Sequence, residues 1–404
     1  MKILVLNAGS SSHKSCLYEM TSELPSLAPL PLWSGTIDWG RHRGIAELEV
    51  KTSTGFSLHK QMSSDSATEV MSYFLQTITQ GSTQVINNLS EIDVVGHRVV
   101  HGGEDYRESI LITEDVKKAI ADLSELAPAH NPANLAGIEL IEENLGNVPQ
   151  VAVFDTAFHS RIPDKAAVYP VPYKWLEKGI KRYGFHGISH QYCAHRSADI
   201  LGKDINSLKL ITCHLGNGCS LAAIRHGYSV DTTMGFTPLD GLMMGSRCGS
   251  IDPGILIYLL KRSDYSPAEL DRVLNKESGL KGISGISSDL RQVLEAREEG
   301  RERASLALNI YLHRLNSGIG AMLASLSGLD ALVFTAGVGE NSAMIRKNVC
   351  ETWKFLGIKL DNTKNDSHPI DMDIAQADST VRILVVQTQE DWAIAQECWR
   401  LLGS

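Results

Sequence analysis

Two segments half a chain apart share one pattern. KILVLNAGSSSHKSCLY (2–18) and LKLITCHLGNGCSLAAI (208–224) each run as an apolar strand into a tight turn of small polar residues, then return as a second apolar run. Two unrelated hairpins would give this, since hairpins are common. So would two domains of one ancestral topology, each offering a small-residue turn to a shared ligand. At 404 residues the chain is long enough for two or three separate cores.

The rest of the pattern is α/β. Asp93 to Val100 reads as a strand, and Val116 to Ala127 has helical spacing at Val116, Ile120, Leu123 and Ala127. Asn131-Pro132 reads as an N-cap followed by proline at the first helical position, with Leu135, Ile138, Ile141 and Leu145 on one face of the helix that follows. Val151 to Phe154, Ala331 to Thr335 and Ile383 to Val386 read as strands, and the last two lead into helices. Strands alternating with helices place functional groups at strand carboxyl ends.

Composition removes several classes of function. With 38 Lys+Arg against 47 Asp+Glu, the net charge of −9 disfavours an electrostatic nucleic-acid binder. The 43% apolar fraction is enough to build cores, which disfavours disorder. No apolar run approaches the roughly 18–20 residues of a membrane span; Gly254 to Leu260 is only a short helix's worth. The apolar stretch Ile3 to Leu6 breaks at Asn7, too early for a signal peptide. Seven scattered cysteines without a C-x-x-C pair point to reduced thiols in a cytoplasm.

Several constellations carry chemistry. Asn7-Ala-Gly-Ser-Ser-Ser-His-Lys14 offers backbone N–H groups, the hydroxyls of Ser10 and Ser12, and a cation, all suited to an oxyanion. It approaches a P-loop (Gly9, then Lys14-Ser15) but lacks the second glycine and is followed by strand-like sequence. His214-Leu215-Gly216-Asn217-Gly218 and Gly337-Val338-Gly339-Glu340-Asn341 are two more small-residue turns at strand ends, and the latter opens a helix. Arg98 in GHRVVHGGE and Arg247 in MMGSRCGSIDP lie in glycine-rich settings suited to planar recognition of carboxylate or phosphate. His130, Asp155 and His186 lie at element ends. His186 and His190 have the i, i+4 spacing of a zinc pair, but Gly187 disfavours the helix that spacing needs, so hydrogen-bonding histidines are expected. Glu390 and Asp391 follow the last strand, placed either to partner Mg²⁺ or to cap a helix.

Taken in order, these motifs resemble the acetate kinase family. The matching stretches are LVLNAGSSSHK (4–14), GHRVVHGGE (96–104), LAPAHNPAN (126–134), VFDTAFH (153–159), RYGFHGISHQY (182–192), CHLGNGCS (213–220), DTTMGFTPLDGLMMGSRCGSIDP (231–253), FTAGVGENS (334–342) and TQEDWAIA (388–395). The resemblance implies two ribonuclease-H-like α/β domains of the acetate and sugar kinase/Hsp70/actin superfamily around a nucleotide cleft. It implies domains at 1–155 plus 391–404 and at 156–390, the second carrying most of the nucleotide site and a homodimer surface. The implied reaction is reversible, Mg²⁺-dependent transfer of the ATP γ-phosphoryl group to acetate, giving ADP and acetyl phosphate on the way to acetyl-CoA, with Mn²⁺ as a substitute metal.

Residue by residue, the resemblance gives Arg98 to the carboxylate, and Arg247 and His186 to the phosphoryl group in flight. Asp155 becomes the essential acidic residue, orienting an arginine or the acceptor. Asn7 and Glu390 position the metal. Ser10, Ser12, Lys14, His214–Gly218, Asp289, Leu290, Arg291 and Gly337–Asn341 hold the nucleotide. Val100, Ala129, His130, Phe185 and Pro238 line the acceptor pocket. The chain departs from the family pattern at Ala129 (usually leucine), Ser250 (usually aspartate) and Gln389 (usually asparagine). The alanine leaves room for an extra methylene, so a propionate or butyrate kinase is the neighbouring alternative. A nucleotide-switched binding module on the same fold would leave both arginines unexplained, and a metal hydrolase finds no ligand set at metal spacing.

Overall fold

The strands predicted by apolar patterning assemble into two sheets. The computed structural model describes residues 1–8, 12–21, 23–25, 27–42, 44–127 and 130–403. They divide into two compact units, Met1–Ala157 with Gln389–Ser404, and Phe158–Thr388.

In the first unit the sheet is formed by β1 (Lys2–Ala8), β2 (Ser12–Glu19), β3 (Trp33–His42), β4 (Ile45–Thr52), β5 (Ser57–Ser63), β6 (Val94–Val99), β7 (Ile110–Leu111) and β8 (Gln150–Phe154). Their order is β5-β4-β3-β2-β1-β6-β8-β7. β1 pairs antiparallel with β2 but parallel with β6, and β6 pairs parallel with β8. The buried runs of β6 and β8 are covered, as parallel strands must be. The C-terminal helix, Glu390–Leu402, packs on β1 and β6. It lies so close that a Cβ at Gly96 would sit 2.6 Å from both Cys398 Sγ and Ile394 Cγ2. Glycine is therefore the residue that lets this helix dock and sets its first turn beside the end of β1.

The second unit contains β9 (Lys209–Leu215), β10 (Cys219–Arg225), β11 (Tyr228–Thr232), β12 (Ala331–Thr335), β13 (Met372–Asp373) and β14 (Arg382–Val385), in the order β11-β10-β9-β12-β14-β13. β9 pairs antiparallel with β10 and parallel with β12, which pairs parallel with β14. The middle of each sheet thus follows one plan. A hairpin and a third antiparallel strand lie to one side of the first strand, and two parallel strands lie to the other. The two look-alike segments are the two hairpins, so the duplicated-topology reading is the one the fold adopts. The long helix Glu302–Leu326 covers this sheet with a buried stripe that includes Ala304, Leu308, Tyr311, Leu315, Ile319 and Met322. That is the 3.6-residue period expected of a helix packed on one face.

Two local expectations fail. Asn131 is not an N-cap: the helix is Asn131–Leu145 and His130 occupies the cap position without a side-chain cap bond. The Asn131 side chain is instead buried, accepting from His101 N (3.1 Å) and donating to the carbonyls of His101 (3.2 Å) and Ile120 (3.3 Å). Gly187 does not prevent a helix: Gly187–Leu201 is one, beginning at that glycine. A glycine is costly inside a helix but not at its first position, where intrahelical hydrogen bonding has yet to begin. All seven cysteines are free and six are buried. Among the described residues no helix is long and apolar enough to cross a membrane.

Candidate active site

In the first unit, the parallel strands β1, β6 and β8 bring Asn7, Arg98 and Asp155 to one edge of the sheet. Asn7 and Arg98 are near the carboxyl ends of β1 and β6, and Asp155 directly follows β8. The Arg98 guanidinium donates from Nε (3.1 Å) and Nη2 (2.6 Å) to Asp155 Oδ2, and its Nη1 reaches Asn7 Oδ1 at 3.5 Å. Burial disfavours the Arg98 cation, but Asp155, Glu390 and Asp391 together outweigh that and hold it charged. Burial pushes the Asp155 carboxyl above its ordinary range, against the pull of Arg98. Its other oxygen, Oδ1, is buried with no hydrogen-bond partner among the described residues. An orphaned buried carboxylate oxygen is expensive and marks a place where a ligand group belongs.

The head of the C-terminal helix completes this cluster. Asn7 Nδ2 donates to Glu390 Oε2 (3.2 Å) and Asp391 Oδ1 (2.9 Å). Burial pushes the Asp391 carboxyl upward. Lys14 is exposed and faces Asn7 across the β1–β2 ladder. Val100 is buried just past β6, its N–H bonded to Asn134 Oδ1 at 3.2 Å. Ser12 lies at the start of β2. Ser10 and Ala129 fall outside the described residues. Gln389 holds the N-cap position of the C-terminal helix but makes no side-chain cap bond. Among the described residues no three His, Cys, Asp or Glu side chains enclose a metal. An open set of oxygen donors is nevertheless what Mg²⁺ uses, since it takes one or two carboxylates and otherwise waters and phosphates.

The second unit holds its residues differently. His186 sits at φ 57°, ψ 25° immediately before the helix Gly187–Leu201. This left-handed conformation is uncommon outside glycine and is found at sites where a side chain must be aimed. His186 Nδ1 and Ser220 Oγ are 2.9 Å apart, and Ser220 Oγ and His190 Nε2 2.8 Å. His190 Nδ1 in turn lies 2.7 Å from Thr212 Oγ1. His190 therefore engages both ring nitrogens in hydrogen bonds, as a structural histidine does. His214, stacked on His186 with ring centroids 4.1 Å apart, has its Nδ1 2.8 Å from Ser189 Oγ. A Cβ at Gly218 would lie 3.4 Å from His186 Nε2 and 3.6 Å from Arg247 Nη1. The imidazole and the guanidinium thus face the same space, which this glycine leaves open. Arg247 Nη1 donates to Pro238 O at 3.4 Å, and Phe185 is buried beside His186 in sequence.

The glycine turns are tightly built. Gly245 N donates to Asn217 O (3.0 Å), and a Cβ at Gly245 would collide with Asn217 Oδ1 at 2.1 Å. Ala336 takes φ 62° as β12 turns into the helix Ala336–Asn341. Glu340 Oε1 accepts from Ala336 N (2.8 Å) and Thr388 N (3.1 Å), so this oxygen pins the turn. Asn341 Nδ2 donates to Gly337 O, and the buried Arg346 donates to the carbonyls of Gly339 and Glu340. Leu215 is buried at the end of β9, whereas Gly216 and Val338 are not fully buried. Asp289 caps the helix Leu290–Glu298 and binds the exposed Arg291. Ser250 Oγ donates to Asp240 Oδ1 at 2.5 Å, so the usual aspartate at 250 would set two carboxylates together here. Sequence reasoning passed over Ser220 and Thr212. The two hydroxyls read as ordinary strand residues, and only the pairing of β9 with β10 reveals that they meet histidines.

A family model described as the acetokinase family matches residues 2–396. An acetate kinase of Nostoc sp. is 66% identical over 403 residues, covering 100% of both chains. The crystal structure of Porphyromonas gingivalis acetate kinase superimposes with a TM-score of 0.89 at 39% identity, covering 99% of each chain. That of a propionate kinase from Francisella tularensis subsp. tularensis gives 0.88 at 38% identity, covering 98% of each.

Proposed function

Since the chain belongs to the acetokinase family, we propose that it transfers the γ-phosphoryl group of ATP reversibly to acetate, forming acetyl phosphate and ADP. Acetate needs no base, because a carboxyl group with a pKa near about 4 is already ionised at neutral pH. What opposes the reaction is charge. Two unit anions about 4 Å apart at an effective dielectric of about 20 repel by roughly 4 kcal/mol. Catalysis is then positioning plus electrostatics.

Arg98 is held for that task. Asp155 takes two of its donors on one oxygen, which fixes the plane of the guanidinium and leaves Asp155 a positioning residue rather than a base. Arg98 binds the acetate carboxylate, and Val100, Ala129 and His130 border the acceptor. Arg247 and His186, facing one opening at Gly218, donate to the phosphoryl oxygens in the transition state. In the second unit His214–Gly218, Asp289–Arg291 and Gly337–Asn341 hold the nucleotide, and in the first Ser12 and Lys14 are suited to phosphate. Asn7 and Glu390, with Asp391 alongside, would hold Mg²⁺. Bound there, the ion would neutralise phosphate charge. The orphaned Asp155 Oδ1 lies in the same buried cluster and suits a hard cation or its water.

The helix Pro253–Lys261 exposes Ile257 (54%) and Tyr258 (57%), with Ile255 and Leu260 also open. An apolar exposed helix on a soluble chain suits burial against a second copy, as a homodimer would provide. Free, buried thiols suit a cytoplasmic setting.

The observation that carries the reading is the convergence of His186 and Arg247 on Gly218. The test is hydroxylamine trapping of acyl phosphate with purified protein, ATP, Mg²⁺ and acetate. Arg247→Ala should depress trapping by about two to three orders of magnitude while the protein stays folded. Undiminished trapping in that variant would remove the mechanism.

A further inference from the structure

We infer that a buried chain of hydrogen bonds, Thr212–His190–Ser220–His186, fixes the tautomer of His186 so that it presents an Nε2–H toward Gly218 and Arg247. This rests on the role given to His186 above. The chain has three links, of 2.7, 2.8 and 2.9 Å. Thr212, Ser220 and His190 are fully buried, so water is not available to exchange with them.

Each link needs one hydrogen; if both histidines donated to Ser220 its own buried hydroxyl hydrogen would be stranded, so the chain runs in one of two directions. In one, Thr212 donates to His190 Nδ1, His190 Nε2–H donates to Ser220, and Ser220 donates to His186 Nδ1. His186 must then carry its own hydrogen on Nε2. In the other, His186 Nδ1–H donates to Ser220, Ser220 to His190, and His190 to Thr212. The Thr212 hydroxyl hydrogen then needs another acceptor. Among the described residues His190 is the one hydrogen-bond partner of the Thr212 hydroxyl. The second direction strands a buried donor, which is costly, so the first is preferred. Burial holds His190 neutral, well below its ordinary range, so it contributes one hydrogen and not two.

The functional consequence is direct. A neutral His186 with a hydrogen on Nε2 donates to a phosphoryl oxygen. The other neutral tautomer would turn a lone pair on it. The groups facing His186 are Arg247 across Gly218, His214 stacked on its ring, and His190 behind Ser220. A neutral donor supplies a hydrogen bond without adding a second cation beside Arg247. Ser220 and His190 are therefore positioning residues, acting through His186.

The experiment is ring ¹⁵N NMR on histidine-labelled protein, with kcat and KM measured beside it. In the wild type, His186 should show the Nε2–H pattern. Ser220→Ala should mix the two tautomers and lower kcat by about tenfold. KM for acetate and for ATP should stay within about twofold. Thr212→Val, which keeps the shape and removes the terminal hydroxyl, should show the same mixing of tautomers with a smaller loss of kcat and serves if Ser220→Ala does not fold. An Nδ1–H pattern for wild-type His186, or an unmixed Nε2–H pattern in both variants, overturns the inference. Full activity in His186→Ala would instead refute the role given to His186 itself, leaving the tautomer measurement to stand alone.

Discussion

The two units hold their strand-end side chains with different materials. In the first, a charged arginine is clamped by a buried carboxylate and ringed by two more acidic side chains. In the second, the aimed histidines are set by neutral bonds to serine and threonine hydroxyls. The same strand plan underlies both, so the difference lies in the residues at the strand ends. A clamped charge is strong and unforgiving, because deleting one partner leaves the other buried alone. A hydroxyl network is weaker link by link but fixes proton positions.

The largest expected effect tests that contrast. Arg98→Ala should lower kcat/KM for acetate by about a thousandfold and stability by about 3–5 kcal/mol, because Asp155 is left unpaired. Urea unfolding checks the second figure. Adding Asp155→Ala should restore much of the stability and none of the activity. If the double variant is as unstable as the single one, the clamp is not what holds this edge together.

The next largest concerns a feature the units share. His97 in the first unit and His159 in the second are buried and pushed down to about 4 by that burial, from an ordinary 6.5. Between those values the unfolded chain binds more protons than the folded one, so stability is full above about pH 6.5 and declines as pH falls. Each histidine should cost about 3 kcal/mol by about pH 4. Unfolding midpoints measured across this range should drop steadily, and His97→Gln or His159→Gln should flatten the slope. A level profile would mean that neither ring is held neutral.

The smallest effect probes specificity. Ala129→Leu should shift the acetate-to-propionate ratio of kcat/KM toward acetate by about tenfold, the worth of one methylene at about 1–3 kcal/mol. An unchanged ratio would show that residue 129 does not set the size of the acceptor.

Much of this was readable in advance, for a physical reason. The strands at 331–335 and 151–154 are continuous apolar runs, and a fully buried parallel strand has no other way to be written. Arg98 and Asp155 stood out because charged residues ending such runs have to be accounted for. Asn131 misled because asparagine before proline is a common helix start, whereas here its amide is buried and bonded to a distant backbone. Gly187 misled because propensity counts a glycine equally at every helical position, and the first position is the exception.

Sequence alone settled the alternation of elements, the duplicated hairpins, the positions of the glycine turns and the family to which their ordered motifs point. These are local patterns, written in neighbouring residues. Tertiary structure decided that Asn7 meets Glu390 and Asp391, that Arg98 is locked to Asp155, and that Ser220 sits between two histidines. Such contacts join residues tens to hundreds of positions apart. They are fixed by strand order and register, which depend on how the faces of the sheets are buried and not on any single segment.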